Sequence, residues 1–351
     1  MQVEKALSCV RTPDPSAMRE TQCRLDSIIK PLGSLGVLES HLVRIAGMTG
    51  SHRFDFSKKG AVVFCADNGV VRQGITQSTQ EVTAIVAENL TTGDTCLCAM
   101  ARVAGAKVIP VDIGIATDLR LPGLLDRKIA YGTGDISSGP AMTRDQAMGA
   151  LEVGIDLAIA LHRDGYRLLS AGEMGIGNTA IGAAVTSALL GLPASETVGR
   201  GAGLSDKGLE RKIQVVQSAL ELHRPDPGDP LSILQSLGGF DIAGMAGLCI
   251  GGAVAGLPVV LDGFISNVSA LLACRLCPEV RHFILPSHLS AEPAAALVMR
   301  ELELEPPLRA GLRLGEGTGA VATFPLYDMM LEIYSSMVTF DDENMEAYQP
   351  L

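Results

Sequence analysis

Glu316 stands in the run Leu314-Gly315-Glu316-Gly317-Thr318-Gly319-Ala320, one carboxylate among three glycines and a threonine. Glycine reaches left-handed backbone conformations and lets a chain approach a ligand closely. An ionisable group in that setting suits proton abstraction from a bound substrate, because partial burial raises a carboxyl pKa toward the working range of a general base. The alternative is a glutamate near the start of a helix running from Ala320, favoured by the helix dipole. A second cluster, Ala171-Gly172-Glu173-Met174-Gly175-Ile176-Gly177-Asn178-Thr179, supplies another carboxylate, Glu173. Two acids on two glycine-rich segments point to an enzyme.

Anion chemistry is written beside them. Gly175 and Gly177 open the Ala-rich stretch 180–190, and a glycine-rich loop at a helix start offers unpaired N–H groups to an anion. The spacing is not GxGxxG, so one phosphate fits better than a dinucleotide. A tight strand–helix turn capped by Asn178 or Thr179 is the competing explanation. Gly199-Arg200-Gly201-Ala202-Gly203-Leu204-Ser205-Asp206, followed by Lys212, is a second such element. Backbone N–H groups with a lysine point charge bind phosphate, although Ser205 or Asp206 equally suits an N-cap. In Ser287-His288-Leu289-Ser290-Ala291-Glu292-Pro293, Ser290 is a candidate phosphate donor. His288 reads as a structural histidine, since there is no nucleophile elbow. Too few further ligands accompany His282 and His288 to suggest zinc.

These segments need a scaffold that brings them together. Five short apolar runs end in polar or glycine-rich turns: residues 61–66, 107–111, 167–170, 258–261 and 282–285. Helical stretches such as 144–162 and 208–223 separate them. Buried strands alternating with helices predict an α/β fold with a mostly parallel sheet and helices on both faces. Ligands of such sheets sit at the carboxyl ends of the strands, where Glu173, Asp262 and Ser287 all fall. The chain ends differ: helical periodicity runs from 18 to 48, broken by Lys30-Pro31-Leu32-Gly33-Ser34-Leu35-Gly36, and returns from 323 to 339. Residues 1–60 with 320–351 are expected to form a small helical domain, 61–319 the large one, and 341–351 a loose acidic tail.

Composition sets limits. The 351 residues are 47% hydrophobic with positive mean hydropathy, enough for a large core. No apolar run reaches a membrane span, and no signal-peptide core is present, so a soluble, cytoplasmic protein without a membrane partner is expected. A net charge of −11 disfavours nucleic acid. Aromatics make up 4% and Trp is absent, so a planar ligand would meet aliphatic and Met side chains. The eight cysteines read as reduced, core-filling residues, and Cys274-Arg275-Leu276-Cys277 lacks the second pair a zinc site needs.

In chain order, KPLGSLGVLE, ADNGVVRQGI, GEMGIGNTA, GRGAGLSDKGLERK, GGFDIAGMAG, LDGFISNVSALLA, SHLSAEP and LRLGEGTGAV resemble the nicotinate-nucleotide–dimethylbenzimidazole phosphoribosyltransferases of cobamide synthesis, from about Leu25 to Phe340. The resemblance implies a Rossmann-like six-stranded sheet, a helical domain built from both chain ends, and a dimer. The implied reaction moves 5-phosphoribose from nicotinate mononucleotide to a cobamide lower-ligand base, inverting β to α and releasing nicotinate, with no cofactor or metal. Glu316 then matches the general base and Glu173 a glutamate near the ribose. Gly175, Gly177, Gly201, Gly203, Lys212 and Ser290 match phosphate-binding positions, and Asn178, Gly315, Gly317 and Asp262 join the substrate-binding set.

Departures from the family pattern are Asn68 for a histidine, Ser78-Thr79 ahead of Gln80, Ala180 after Thr179, Ala294 after Pro293, and Asn267 in place of a small apolar residue. They are expected to gather in the acceptor pocket. A benzimidazole or purine would attack through nitrogen. A phenol or p-cresol would attack through oxygen, in a chain that pairs with a related subunit as a heterodimer rather than a homodimer. A non-catalytic, nucleotide-binding partner subunit is the further alternative, against which the retained Glu316 argues. A dehydrogenase lacks its GxGxxG.

Overall fold

Six strands form one sheet in the computed structural model, which describes residues 1–348. They are β1 (Lys59–Ala66), β2 (Ala106–Gly114), β3 (Leu125–Asp126), β4 (Leu168–Met174), β5 (Val259–Leu261) and β6 (Ile284–Pro286). The order across the sheet is β3-β2-β1-β4-β5-β6 and every pairing is parallel. The chain thus reverses its direction of travel between β1 and β4, the switch point at which doubly wound sheets bind ligands. Four of the five expected runs fall on strands almost throughout, whereas in the run 282–285 His282 and Phe283 end a 3-10 turn and the strand begins at Ile284. β3 carries too few residues to leave a pattern, and β4 runs on to Met174, so Glu173 lies within the strand, next to its last residue, rather than following it.

All eight residues of β1 are buried, as a central strand covered on both faces requires. On one face Phe64 and Ile113 meet the helix Phe240–Ala255 at Gly244. On the other, Ser170 and Gly172 of β4 meet Gly317, just ahead of the helix Thr318–Ser336. Next to the site the β1–β2 register slips, with Cys65 opposite Asp112 and Ala66 opposite Gly114. Such a bulge re-aims the strand end, here the segment entering Asp67 and Asn68.

The helix Phe240–Ala255 is apolar nearly all round and lies inside the molecule. It crosses the helix Arg144–Arg163 at backbone contact. A Cβ on Gly154 would fall 2.0 Å from the Gly244 carbonyl oxygen, and one on Gly247 would fall 2.1 Å from that of Leu151. The thiol of Cys249 lies in this core, as do those of Cys65, Cys98 and Cys274, while Cys9, Cys23 and Cys96 are exposed, contrary to a uniform core-filling role. Burial pushes the Cys274 thiol up to about 12, which keeps that member of the CxxC pair protonated.

Helices from the two chain ends pack together. Arg24 of the helix Pro15–Ser27 donates to the carbonyls of Tyr334 (3.1 Å) and Met337 (2.7 Å), and Phe54 meets Tyr334 edge-on with ring centroids 5.2 Å apart. Lys59, at the start of β1, ties the C-terminal helix to the sheet through Asp328 at 2.5 Å. The segment expected as a loose tail is pinned where it begins: Phe340 N–H donates to the Ser27 carbonyl and Met345 N–H to that of Phe340. Residues 349–351 lie outside the described residues. Among the described residues, no helix is long and apolar enough to cross a membrane.

The Gly-lined crossing yields a direct test. Gly154→Ala should lower stability by ~1–3 kcal/mol through overpacking against backbone that has no side chain to move aside. Gly149→Ala, on the same helix, where an added Cβ would meet nothing nearer than the mobile end of a side chain, Ile129 Cδ1 at 3.4 Å, should be neutral or slightly stabilising. Urea midpoints of the two variants check the contrast.

Candidate active site

A cavity of about 280 Å³ opens at the carboxyl ends of β4 and β5, beside the switch point. Glu316 forms part of its wall. Gly315, Glu316 and Gly317 have φ values of +91°, +62° and +95°, three consecutive residues in the left-handed region. For glutamate that conformation costs ~1–2 kcal/mol, so the fold must hold it. Glu316 N–H donates to the Glu173 carbonyl at 3.2 Å, and the Glu316 carbonyl lies so close to Gly172 that a Cβ there would sit 2.5 Å from its oxygen. Asp262, just past β5, accepts from Gly319 N–H (2.6 Å) and Ala320 N–H (3.2 Å) on Oδ1 and from Gly317 N–H (3.1 Å) on Oδ2. A carboxylate at the positive end of the helix Thr318–Ser336 is the stabilising sign.

Glu316 keeps Oε2 buried without a protein partner. Burial holds its carboxyl above the usual range, while the Leu97 N–H and Thr95 hydroxyl, at the start of the helix Cys96–Ala104, pull the other way. Glu173 sits deeper. Burial raises its carboxyl well above the ordinary value, Asp241 and Asp262 add to this, and the Asn178 amide donates to its Oε2. Its Oε1 lies where a Cβ on Gly315 would be, 2.7 Å away, so only glycine admits the carboxylate.

The opposite wall is built for an anion. Lys212 is buried in the helix Asp206–His223, and its ammonium donates to Thr179 Oγ1 (2.7 Å) and the Gly199 carbonyl (3.1 Å). Burial lowers it to about 8, with Glu292 acting in the other direction. A Cβ on Gly201 would fall 2.9 Å from Thr179 Oγ1 and 3.4 Å from Lys212 Nζ, so this turn must stay bare. Beside them Gly177, at φ +92°, opens the helix Asn178–Leu190 with no side-chain cap; Asn178 and Ala180 N–H pair with the Gly175 and Gly177 carbonyls, and the Thr179 N–H has no backbone partner among the described residues.

Of the residues singled out in the sequence, Glu316, Glu173, Gly175, Gly177, Asn178, Gly201, Lys212, Ser290, Gly315 and Asp262 all line this cavity. Gly203 and Gly317 are not among the lining residues. Gly203 accepts from the Gln77 amide, which ties the loop 76–78 over the cavity mouth, and Gly317 donates to Asp262. Asp262 spends both oxygens on backbone donors, so it positions the Glu316 loop. His288 also reaches the wall. Burial lowers it to about 4, hence neutral, and it bonds Ser287 at 3.0 Å.

Sequence reasoning did not assign Thr179, Arg200, Arg313 or Glu292 to the cavity, nor a role to Asp241. Asp241 is buried behind Glu173 with one unpartnered oxygen and is raised by burial to about 6. Its signal was available: it is the single charge in the apolar stretch Phe240–Ala255. Nor do the departures gather around an acceptor pocket. Only Ser78 lines the cavity. Asn68 is buried and donates to the Ile176 carbonyl at 3.3 Å, in the loop that leads into the helix Asn178–Leu190, and Ala180, Asn267 and Ala294 are fully buried.

A family model described as phosphoribosyltransferase matches residues 10–345. A nicotinate-nucleotide–dimethylbenzimidazole phosphoribosyltransferase from Acetivibrio thermocellus is 47% identical over 333 residues, covering 95% of each chain. The Escherichia coli protein of that name is 43% identical over 332 residues, 94% of this chain and 92% of its own. The crystal structure of CobT from Thermus thermophilus matches with a TM-score of 0.90 at 39% identity, over 95% of this chain and all of the other. With the switch-point cavity and its glycine-bound carboxylates, these likenesses make the chain a member of the nicotinate-nucleotide–dimethylbenzimidazole phosphoribosyltransferase family.

Proposed function

We propose that the chain transfers 5-phosphoribose from nicotinate mononucleotide to a benzimidazole-type base, releasing nicotinate. The observation that carries this reading is one cavity with an orphaned carboxylate oxygen of Glu316 on one wall and the Lys212–Thr179 cradle on the other. Lys212, the Thr179 hydroxyl, Ser290 and the N–H groups around Gly175, Gly177 and Gly201 would hold the phosphate, fixing C1′ between leaving group and acceptor. The acceptor nitrogen attacks C1′, the bond to nicotinate breaks, and its electron pair neutralises the departing pyridinium. Glu316 takes the proton the acceptor gives up. Glu173, close to the Glu316 loop, would orient the ribose hydroxyls. Met174, Val86 and Leu314 supply apolar wall for a planar ring.

The relatives' names favour a nitrogen acceptor over a phenol. Three further readings belong to the same proposal. Residues 1–60 with 320–351 form the helical unit, supported by the Arg24 bonds to the C-terminal helix. The assembly is a homodimer or a pair with a related subunit. The location is cytoplasmic, in keeping with free thiols throughout the chain.

Product analysis by mass spectrometry tests the reaction: the purified chain with nicotinate mononucleotide and a mixture of dimethylbenzimidazole, adenine, phenol and p-cresol should give an N-linked riboside phosphate. An O-linked product, or none, overturns the reading. Glu316→Gln should lower kcat by roughly 10²–10⁴-fold while nucleotide affinity stays within a few-fold. Because burial raises the Glu316 carboxyl, the base stays protonated to a higher pH than an exposed glutamate. Activity should therefore fall on acidification from above the ordinary carboxylate range, and a pH profile of Glu316→Gln should lack that limb. Lys212→Met, which keeps the buried volume, should raise the KM for nicotinate mononucleotide by about 10–100-fold, the loss of a charge-assisted contact worth ~1.5–3 kcal/mol. Initial-rate kinetics with unchanged KM would remove Lys212 from the phosphate site.

A further inference from the structure

A second cavity, of about 270 Å³, lies at the other end of the same strands. Phe56 precedes β1, Arg167 immediately precedes β4 and Leu257 precedes β5, whereas the substrate cavity takes Glu173 and Asp262 from the far ends of β4 and β5. The seven residues of β4 separate the two by roughly 20 Å.

Its charge reverses that of the protein. In a chain with 39 acidic and 28 basic residues, this cavity gathers the guanidiniums of Arg11, Arg53 and Arg167 against a single carboxylate, Asp55. Among the described residues none of the three arginines forms a salt bridge. Asp55 is turned to Ser57, accepting its N–H at 2.8 Å. Arg167 is braced by the carbonyls of Tyr166 (3.0 Å) and His162 (3.3 Å), and Arg11 by that of Ala255 (3.4 Å). Gly256 makes room for Arg11, since a Cβ there would fall 2.2 Å from Nη1. His162 also lines the cavity, with Nδ1 buried and unpartnered. Burial, then Arg167 and Arg11, hold its ring neutral, so it can present an N–H without adding charge. Beside Thr49 and Ser51, the remaining wall is apolar, with Phe54 and Phe56 tilted at 41° to each other at a centroid distance of 6.1 Å.

We propose that this cavity is a second ligand site, for a small aromatic carboxylate. Guanidinium forks match a carboxylate in two parallel hydrogen bonds, and Phe54, Phe56 and Leu257 match the face and edge of a ring. Inorganic phosphate would leave that apolar wall against a fully hydrated ion. Nicotinate belongs to this ligand class, but the inference does not rest on the proposed reaction, and benzoate serves as the probe.

Calorimetric titration of benzoate into the full chain, with excess nicotinate mononucleotide present, should show one binding site per chain. Arg53→Gln and Arg11→Gln should each weaken it about tenfold or more, while turnover without benzoate is unchanged. The Arg53 guanidinium makes no hydrogen bond among the described residues, so its loss should leave the fold intact. Lys212→Met should leave benzoate affinity as it is. Absence of benzoate binding, or binding that follows Lys212 and ignores both arginines, overturns the site. Inorganic phosphate bound as tightly, with the same sensitivity to Arg53 and Arg11, overturns the aromatic class. Failure of the proposed reaction would instead appear in product analysis and leave the arginine dependence standing.

Discussion

The Asp262 carboxylate holds together everything the site needs. It leaves the end of β5 and takes three backbone N–H groups at the start of the helix Thr318–Ser336. Those donors would otherwise be unpaired inside the protein, each at a cost of ~1–3 kcal/mol. Their pairing fixes the loop 315–317, whose left-handed backbone no isolated peptide would maintain. The same contact docks the C-terminal helix on the sheet, so placement of Glu316 and placement of the helical chain end are one event. Gly172 and Gly315 are the corollary: the loop lies on β4 at a spacing that excludes a side chain on either.

Around this anchor the fold accepts an electrostatic burden that a structural core would avoid. Asp241 and Asp262 are buried close enough to add to the raised Glu173 carboxyl, and among the described residues no lysine or arginine forms a salt bridge with any of the three. Burying like charges disfavours ionisation, and the usual remedy would be apolar replacement. Retention makes sense for a cavity that receives a cation. Nicotinate in its N-glycosidic form is a pyridinium, and positive charge grows at C1′ as it leaves. Lys212 lines the same cavity as Glu173, Asp262 and Glu316. The two walls thus match the two charged ends of a phosphoribosyl pyridinium.

Much of this was legible because glycine is a strong statement about backbone. Gly177, Gly201, Gly203, Gly315 and Gly317 all take positive φ, and each stands in a cluster the sequence marks out. Lys212 was readable too, since it shares a helical stripe with Val215, Val216 and Ala219, all buried. Other features left no local trace. Glu316 itself adopts φ +62°, a state imposed by Asp262 from more than fifty positions away in sequence. Thr179 and Arg313 reach the cavity only because distant loops converge there. The two residues of β3 form no apolar run, and the apolar runs that revealed the other strands cannot show where β4 stops and the loop begins.

The departures from the family pattern illustrate the same limit. Read along the chain they fall near motifs associated with substrate, so they invite assignment to the acceptor pocket. In three dimensions Asn68 braces the Ile176 carbonyl from below, and Asn267 is enclosed in the helix Phe264–Leu276 with its amide unpartnered. Nearness in sequence to a motif at a strand end does not put a side chain in the cavity, because successive residues there point to opposite faces. Met174, Val86 and Leu314, apolar residues lining the cavity, are not among the departing positions. Of the departing positions, only Ser78, in the loop 76–78 that Gln77 ties to Gly203, is placed to touch a ligand in this cavity.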